Sequence, residues 1–122
     1  MPLRIDNMSY ITDERPWGWY EILLTADDCQ VKRLVVKPGQ RCSYQFHHKR
    51  AEHWFAVSGE GVAVIDGEEI VLKPGDSIDM KIGQKHRIWN KGKNDFVFIE
   101  VQTGSYFGED DIERIEDDYS RI

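Results

Sequence analysis

The chain has few of the features that would assign it to a specialised class. Only two of its 122 residues are cysteine, Cys29 and Cys42, and they form no Cys-x-x-Cys spacing. A disulfide scaffold and a zinc-ribbon reading are therefore excluded, and two free thiols in a reducing compartment are the expectation, with one disulfide as the alternative. No apolar run approaches eighteen residues, and the N-terminal stretch MPLRIDNMSYITDERPWGWY lacks an apolar signal core. The expectation is a soluble, cytoplasmic protein without a membrane partner. No basic stripe interrupts a net charge of −6, which argues against nucleic acid as a partner. Repeats, low-complexity tracts and internal linkers are also missing. What is present is 40% apolar residues with four tryptophans, enough for one domain to bury a core without staples.

Turn signals punctuate the chain at short, even intervals: Lys37-Pro38-Gly39, Ser58-Gly59-Glu60-Gly61, Asp66-Gly67, Lys73-Pro74-Gly75, Ile82-Gly83-Gln84 and Asn90 to Asn94. Between them lie runs of strand character, among them Val31 to Val36 and Phe96 to Val101. Val62 to Ile65 and Glu68 to Leu72, separated by Asp66-Gly67, read as a hairpin with a tight turn. Many short strands bounded by Gly and Pro mean an all-β sandwich or barrel. Leu34-Val35-Val36 is apolar on both parities, so both of its faces should be covered, and a homodimer is expected. Gly108-Glu109-Asp110-Asp111-Ile112-Glu113-Arg114-Ile115 places acids in a first turn, where a helix dipole favours them, which predicts a short C-terminal helix. Residues 1–13 read as an N-terminal arm and 14–122 as the domain.

The chemistry concentrates in Gln45 to Trp54, answered by His86. Gln45 and His47 are two apart and share a face if the segment is a strand. Glu52 follows after a gap a tight turn can close, and His86 comes from a separate strand. Two imidazoles and two oxygen donors suit one divalent ion, Zn, Mn, Fe, Co or Ni, with room for water or substrate. His48 and His53 have the opposite parity and should face away. Trp54 shares Glu52's parity, as core or as pocket wall. Arg50, between the ligand segments, can pair with a phosphate or a sugar oxygen, or form a structural salt bridge. Glu100 sits in an otherwise apolar strand, where an unpaired carboxylate is costly. It either pairs with Lys32 or Arg33 or lines the pocket as a general base.

Gly39, five residues, Gln45-Phe46-His47, four residues, Glu52, six residues and Gly59 reproduce the first cupin motif, with Gln45 replacing its first histidine. Gly75, five residues, Lys81, one residue, Gly83, two residues, His86, three residues and Asn90 reproduce the second, with Lys81 replacing a proline. Arg15-Pro16-Trp17-Gly18, Arg50-Ala51-Glu52-His53-Trp54, Lys85-His86-Arg87 and Gly108 to Ile112 narrow the match. With them the chain resembles the cupin domain of type II mannose-6-phosphate isomerases, over roughly residues 14–121. That domain is usually the C-terminal half of a bifunctional isomerase/mannose-1-phosphate guanylyltransferase, and the resemblance implies a stand-alone version of it. It further implies a cupin jelly-roll barrel and one divalent metal on Gln45, His47, Glu52 and His86. The implied activity is interconversion of mannose 6-phosphate and fructose 6-phosphate, or of a related phosphosugar. A non-catalytic metal-binding cupin that binds a sugar or a partner nucleotidyltransferase is the alternative. Glu100 and Arg50 are the candidate catalytic residues, and Arg15, Arg50 and Lys85 the candidate substrate contacts. Trp19, Phe46 and Lys81 depart from the family pattern, at positions that touch no ligand.

Overall fold

Strands with one polar and one apolar parity cover each other's apolar faces, and this chain does so with two antiparallel sheets. The computed structural model describes residues 11–121. Its strands are β1 (Ile11–Arg15), β2 (Gly18–Thr25), β3 (Cys29–Val36), β4 (Tyr44–Phe46), β5 (Arg50–Ser58), β6 (Gly61–Ile65), β7 (Glu68–Leu72), β8 (Ser77–Met80), β9 (His86–Trp89), β10 (Phe96–Gly104) and β11 (Glu113–Glu116). One sheet has the order β1-β2-β3-β10-β5-β8 and the other β11-β4-β9-β6-β7. This is the expected all-β jelly roll. The β6–β7 hairpin turns on Asp66 and Gly67, both with positive φ (48° and 84°), a turn whose twist matches that of the flanking strands.

Register explains where the core stops and the site begins. Along β10 the inward residues are Phe96, Phe98, Glu100 and Gln102, and their partners on β3 are Val36, Leu34, Lys32 and Gln30. On β5, Ala56, Trp54 and Glu52 stand opposite Phe98, Glu100 and Gln102. The interior is therefore apolar at the Phe96–Val36 end and becomes polar within two residues along the same strands. All of these side chains are buried. Burying so many polar groups is costly unless each finds a partner, so the polar end of the barrel needs a dense network.

One sequence expectation, the short C-terminal helix, meets a different outcome. No helix is present among the described residues; 113–116 form β11, which pairs with β4 as Glu113↔Phe46, Arg114↔Gln45 and Glu116↔Tyr44. β4 would otherwise expose an unpaired edge, and those backbone bonds outweigh a short helix that is marginal by itself. Leu34, Val35 and Val36, which prompted the homodimer expectation, are all buried within one chain. The boundary expected after residue 13 falls inside β1, which pairs with β2; residues 1–10 of the expected arm lie outside the described residues. Cys29 and Cys42 are free, and burial pushes the Cys42 thiol up to about 11. No helix among the described residues is long and apolar enough to cross a membrane.

Candidate active site

Glu52 is the hub of the polar end. Its Oε2 accepts from Arg50 Nε at 2.9 Å and lies 3.2 Å from His47 Nε2. Its Oε1 accepts from the Trp54 indole at 3.1 Å and lies 3.5 Å from His86 Nε2. All four partners are buried. Burial raises the Glu52 carboxyl, but His47, His86 and Arg50 outweigh it and hold the group well below its ordinary range. His86 is pulled down by burial and more than restored by Glu52, ending above its usual value.

The tautomers follow from the backbone. His47 Nδ1 is 2.6 Å from the Asp111 carbonyl and His86 Nδ1 is 2.8 Å from the Gln84 carbonyl. A carbonyl only accepts, so both Nδ1 atoms carry a proton, which in the neutral imidazole leaves each Nε2 lone pair facing Glu52. His86 Nε2 is buried and has no hydrogen-bond partner. One donor atom from each of His47, Glu52 and His86 lies within 4.8 Å of the others. Two inward lone pairs and a carboxylate with an orphaned nitrogen are what a divalent ion would satisfy, so the donor set fits the metal its spacing implied. Gln45 stands directly across from His86 in the β4–β9 pair, which puts its amide on the same face. Its Oε1 accepts from Ser43 Oγ at 2.6 Å, and a carbonyl oxygen has a second lone pair to give.

Glu100 lies next to this cluster and lines the adjoining cavity. The Trp54 N–H reaches Glu100 Oε1 at 2.9 Å as well as Glu52, and Gln102 Nε2 donates to Glu100 Oε2 at 2.6 Å. Burial and the Glu52 charge push Glu100 up to about 7, against the pull of Lys32 and Arg50. Of its two sequence readings the structure shows the pocket wall: Lys32 bonds Glu109 instead, at 2.5 Å, and Arg33 reaches Glu21 at 3.6 Å.

The cavity measures about 620 Å³ counted out to its open mouth, and Arg15, Gln45, Arg50, Trp54 and Glu100 line it. Arg50 is buried at the start of β5, and Gly104 across from it has a positive φ of 146°. A Cβ there would meet the Lys49 carbonyl oxygen at 2.1 Å, so only glycine lets β10 close on this corner. Lys85 is a correction. It is exposed, with its backbone tied to Asp66 on both sides, and it borders a separate depression with Tyr44 and Gly67. His48 and His53 face outward, beside Glu113 and Asp79. The sequence reading missed Gln102, Glu109, Asp111, Arg114 and Arg121. Gln102 was legible as the residue of Glu100's parity, whereas Glu109, Asp111 and Arg114 were absorbed into the expected helix, and Arg121 follows it near the end of the chain.

Residues 5–117 match the family described as Mannose-6-phosphate isomerase C-terminal. The chain belongs to this family. Among its relatives, the alginate biosynthesis protein AlgA of Pseudomonas aeruginosa is 45% identical over 118 residues, covering 97% of this chain and 24% of AlgA. The mannose-1-phosphate guanylyltransferase of Escherichia coli is 45% identical over 108 residues, covering 88% of this chain and 23% of that protein. The chain thus spans about a quarter of the length of the curated relatives it matches. A Klebsiella pneumoniae protein with a double-stranded beta-helix domain superposes with TM-score 0.70 at 26% identity, over 93% of this chain and 85% of that one. The capsular polysaccharide assembling protein CapF of Staphylococcus aureus gives TM-score 0.78 at 24% identity, over 88% of this chain and 34% of CapF, a likeness of fold. The double-stranded β-helix printed for the Klebsiella protein is the jelly roll that the two sheets of this chain form.

Proposed function

We propose that this domain is a metal-dependent aldose–ketose isomerase that interconverts mannose 6-phosphate and fructose 6-phosphate, or a related phosphosugar. The observation that carries the reading is the buried His47–Glu52–His86 cluster joined through one indole N–H to a second buried carboxylate, Glu100, which lines the adjoining cavity together with Gln45, Arg50 and Trp54. The reaction moves a proton between C2 and C1 through a cis-enediol. It needs a base that ionises near neutral pH and a positive partner for the two sugar oxygens. Glu100 is the base: it takes the C2 proton and returns it at C1, held in place by Trp54 and Gln102. Gln45, His47, Glu52 and His86 would hold the divalent ion (Zn, Mn, Fe, Co or Ni), which when bound supplies Lewis-acid polarisation of the sugar's O1 and O2. Arg50 holds Glu52 through Nε and keeps Nη1 buried and free of hydrogen bonds for substrate charge. Arg15 serves the phosphate at the rim, and Lys85 has no part.

A second reading is a non-catalytic metal-binding domain that binds a sugar or serves a nucleotidyltransferase. The E. coli relative's name and the quarter-length coverage support it. Deuterium exchange separates the two. Metal-loaded protein in D₂O should wash deuterium into C2 of mannose 6-phosphate and form fructose 6-phosphate. Saturable binding of the sugar phosphate without exchange would select the second reading. A homodimer belongs to the proposal too, supported by Phe55 and Val57, exposed side chains on the outer face of the larger sheet.

A further inference from the structure

Five cationic side chains line the cavity: Arg15, Lys32, Arg50, Arg114 and Arg121. Four have a carboxylate. Arg15 pairs with Asp13 at 2.9 Å, Lys32 with Glu109 at 2.5 Å, Arg50 with Glu52 at 2.9 Å and Arg121 with Asp117 at 2.7 Å. Arg114 makes no ion pair among the described residues, and its Nε is buried without a hydrogen-bond partner. Its direction is fixed by register: Arg114 stands across from Gln45 in the β11–β4 pair, so both side chains leave on the same face, and both border the cavity.

A half-buried guanidinium with an unsatisfied N–H is an unfavourable arrangement by itself. Burial depresses the Arg114 pKa, and the like charges of Arg121 and Arg15 depress it further, against Asp117 and Glu109. An incoming anion relieves both problems at once. The protein already places one anion among the other cations of this cavity. Glu109, on the segment between β10 and β11, has Oε2 2.5 Å from Lys32 Nζ and 3.7 Å from Arg50 Nη1, and Oε1 3.9 Å from Arg15 Nη2. Its side chain is 44% exposed, so the carboxylate sits at the rim where three cations converge.

We propose that the mouth of the cavity is a phosphate-monoester site in which Arg114 is the open guanidinium, and that Glu109 is an internal anion which the phosphate displaces. The phosphate class rests on the phosphosugar reading above. A guanidinium offers parallel N–H donors that fit a phosphate in two-point fashion, and a dianion answers several cations where a neutral sugar answers none. The Arg50 side chain spans from the rim to Glu52, so an anion held at the rim leaves the other end of the ligand facing the His–Glu–His cluster. That geometry selects a sugar whose phosphate is remote from its reacting carbons.

The test is calorimetric titration of inorganic phosphate, mannose 6-phosphate and mannose into wild type, Arg114→Gln and Glu109→Gln, with thermal melts and metal analysis of each. Arg114→Gln should keep its metal and weaken both phosphates by about tenfold or more, the loss expected for a charged hydrogen-bonding partner. Glu109→Gln, which leaves Arg114 in place, should bind both phosphates severalfold tighter. Mannose should be indifferent to either change. Equal phosphate affinity in wild type and Arg114→Gln overturns the site, and unchanged affinity in Glu109→Gln overturns the displacement. Missing C2 exchange alongside intact, Arg114-dependent phosphate binding would remove only the isomerase reading.

Discussion

Replacing Glu100 by Gln should make the protein inactive and, above neutral pH, more stable. The side chain ends a relay that runs inward from the exposed Thr25: Thr25 Oγ1 donates to Gln30 Oε1 at 2.9 Å, Gln30 Nε2 to Gln102 Oε1 at 3.0 Å, and Gln102 Nε2 to Glu100 Oε2 at 2.6 Å. Glu100 is the acceptor that sets the direction of every bond. A Gln in its place must turn its oxygen toward Trp54 or toward Gln102 and leave one donor opposed, unless the two amides flip together. One imperfect hydrogen bond costs about 1 kcal/mol. The charge works the other way. A rise from an ordinary 4.5 to about 7 disfavours the ionised form in the fold by about 3 kcal/mol, at roughly 1.4 kcal/mol per pH unit. Because the folded value lies above the unfolded one, this contribution to stability is complete below pH 4.5 and is lost as pH rises through 7. Gln does not titrate. In chelator-treated protein, urea unfolding followed by tryptophan fluorescence should therefore show the stability difference shifting in favour of Glu100→Gln by about 2–3 kcal/mol between pH 5 and pH 8. C2 exchange in the metal-loaded variant should fall by about 10²-fold or more with sugar-phosphate binding retained. A difference in stability that does not change with pH refutes the raised pKa, and full exchange activity refutes the assignment of the base.

Elemental analysis of untagged protein should find about one divalent ion per chain, and none in a His47→Ala/His86→Ala double variant; a metal content unchanged by the double variant would disprove the ligand set. Asp111→Ala removes the carboxylate that accepts from the His48 and Lys49 backbone N–H groups, both at 2.9 Å, and should cost about 1–3 kcal/mol in urea unfolding at pH 7. Burial raises the Asp111 pKa but those two N–H bonds outweigh it and leave it lowered, so the wild-type advantage should persist above 3.8 and vanish only as pH falls through the depressed folded value. Light scattering should report a dimer that a Phe55→Glu/Val57→Glu variant converts to monomer, and a monomeric wild type would end the dimer proposal.

The fold and the ligand cluster were legible for a local reason. Strand parity is a period of two, so Gln45 with His47, and Glu52 with Trp54, declare their shared faces without knowledge of any partner strand. The Asp66-Gly67 turn is equally local. Glu100 was legible as an anomaly, a carboxylate in an apolar strand, but its answer was not. Lys32 is its cross-strand neighbour in β3–β10 and yet bonds Glu109, a choice made by a segment seventy-seven residues away in the chain. Lys85 failed for the converse reason: it adjoins His86 in sequence, but successive strand residues point to opposite faces, and Asp66 anchors its backbone on the outside.

The misread segment is the one that finishes the site. As a helix, residues 108–115 would have carried their acids on a solvated surface and left the edge of β4 bare. As a turn and a strand they give four things to the cavity. The Asp111 carbonyl accepts a hydrogen bond from His47 Nδ1–H and so turns Nε2 inward. The Asp111 carboxylate holds the His48–Lys49 backbone between the two ligand segments. Glu109 balances Lys32 at the rim, and pairing of Arg114 with Gln45 aims a guanidinium over the cluster's own face. Acid content was therefore a misleading cue, because these acids answer donors on β3, on β5 and on the segment between β4 and β5, and not a helix dipole. Only long-range pairing distinguishes the two uses of the same residues.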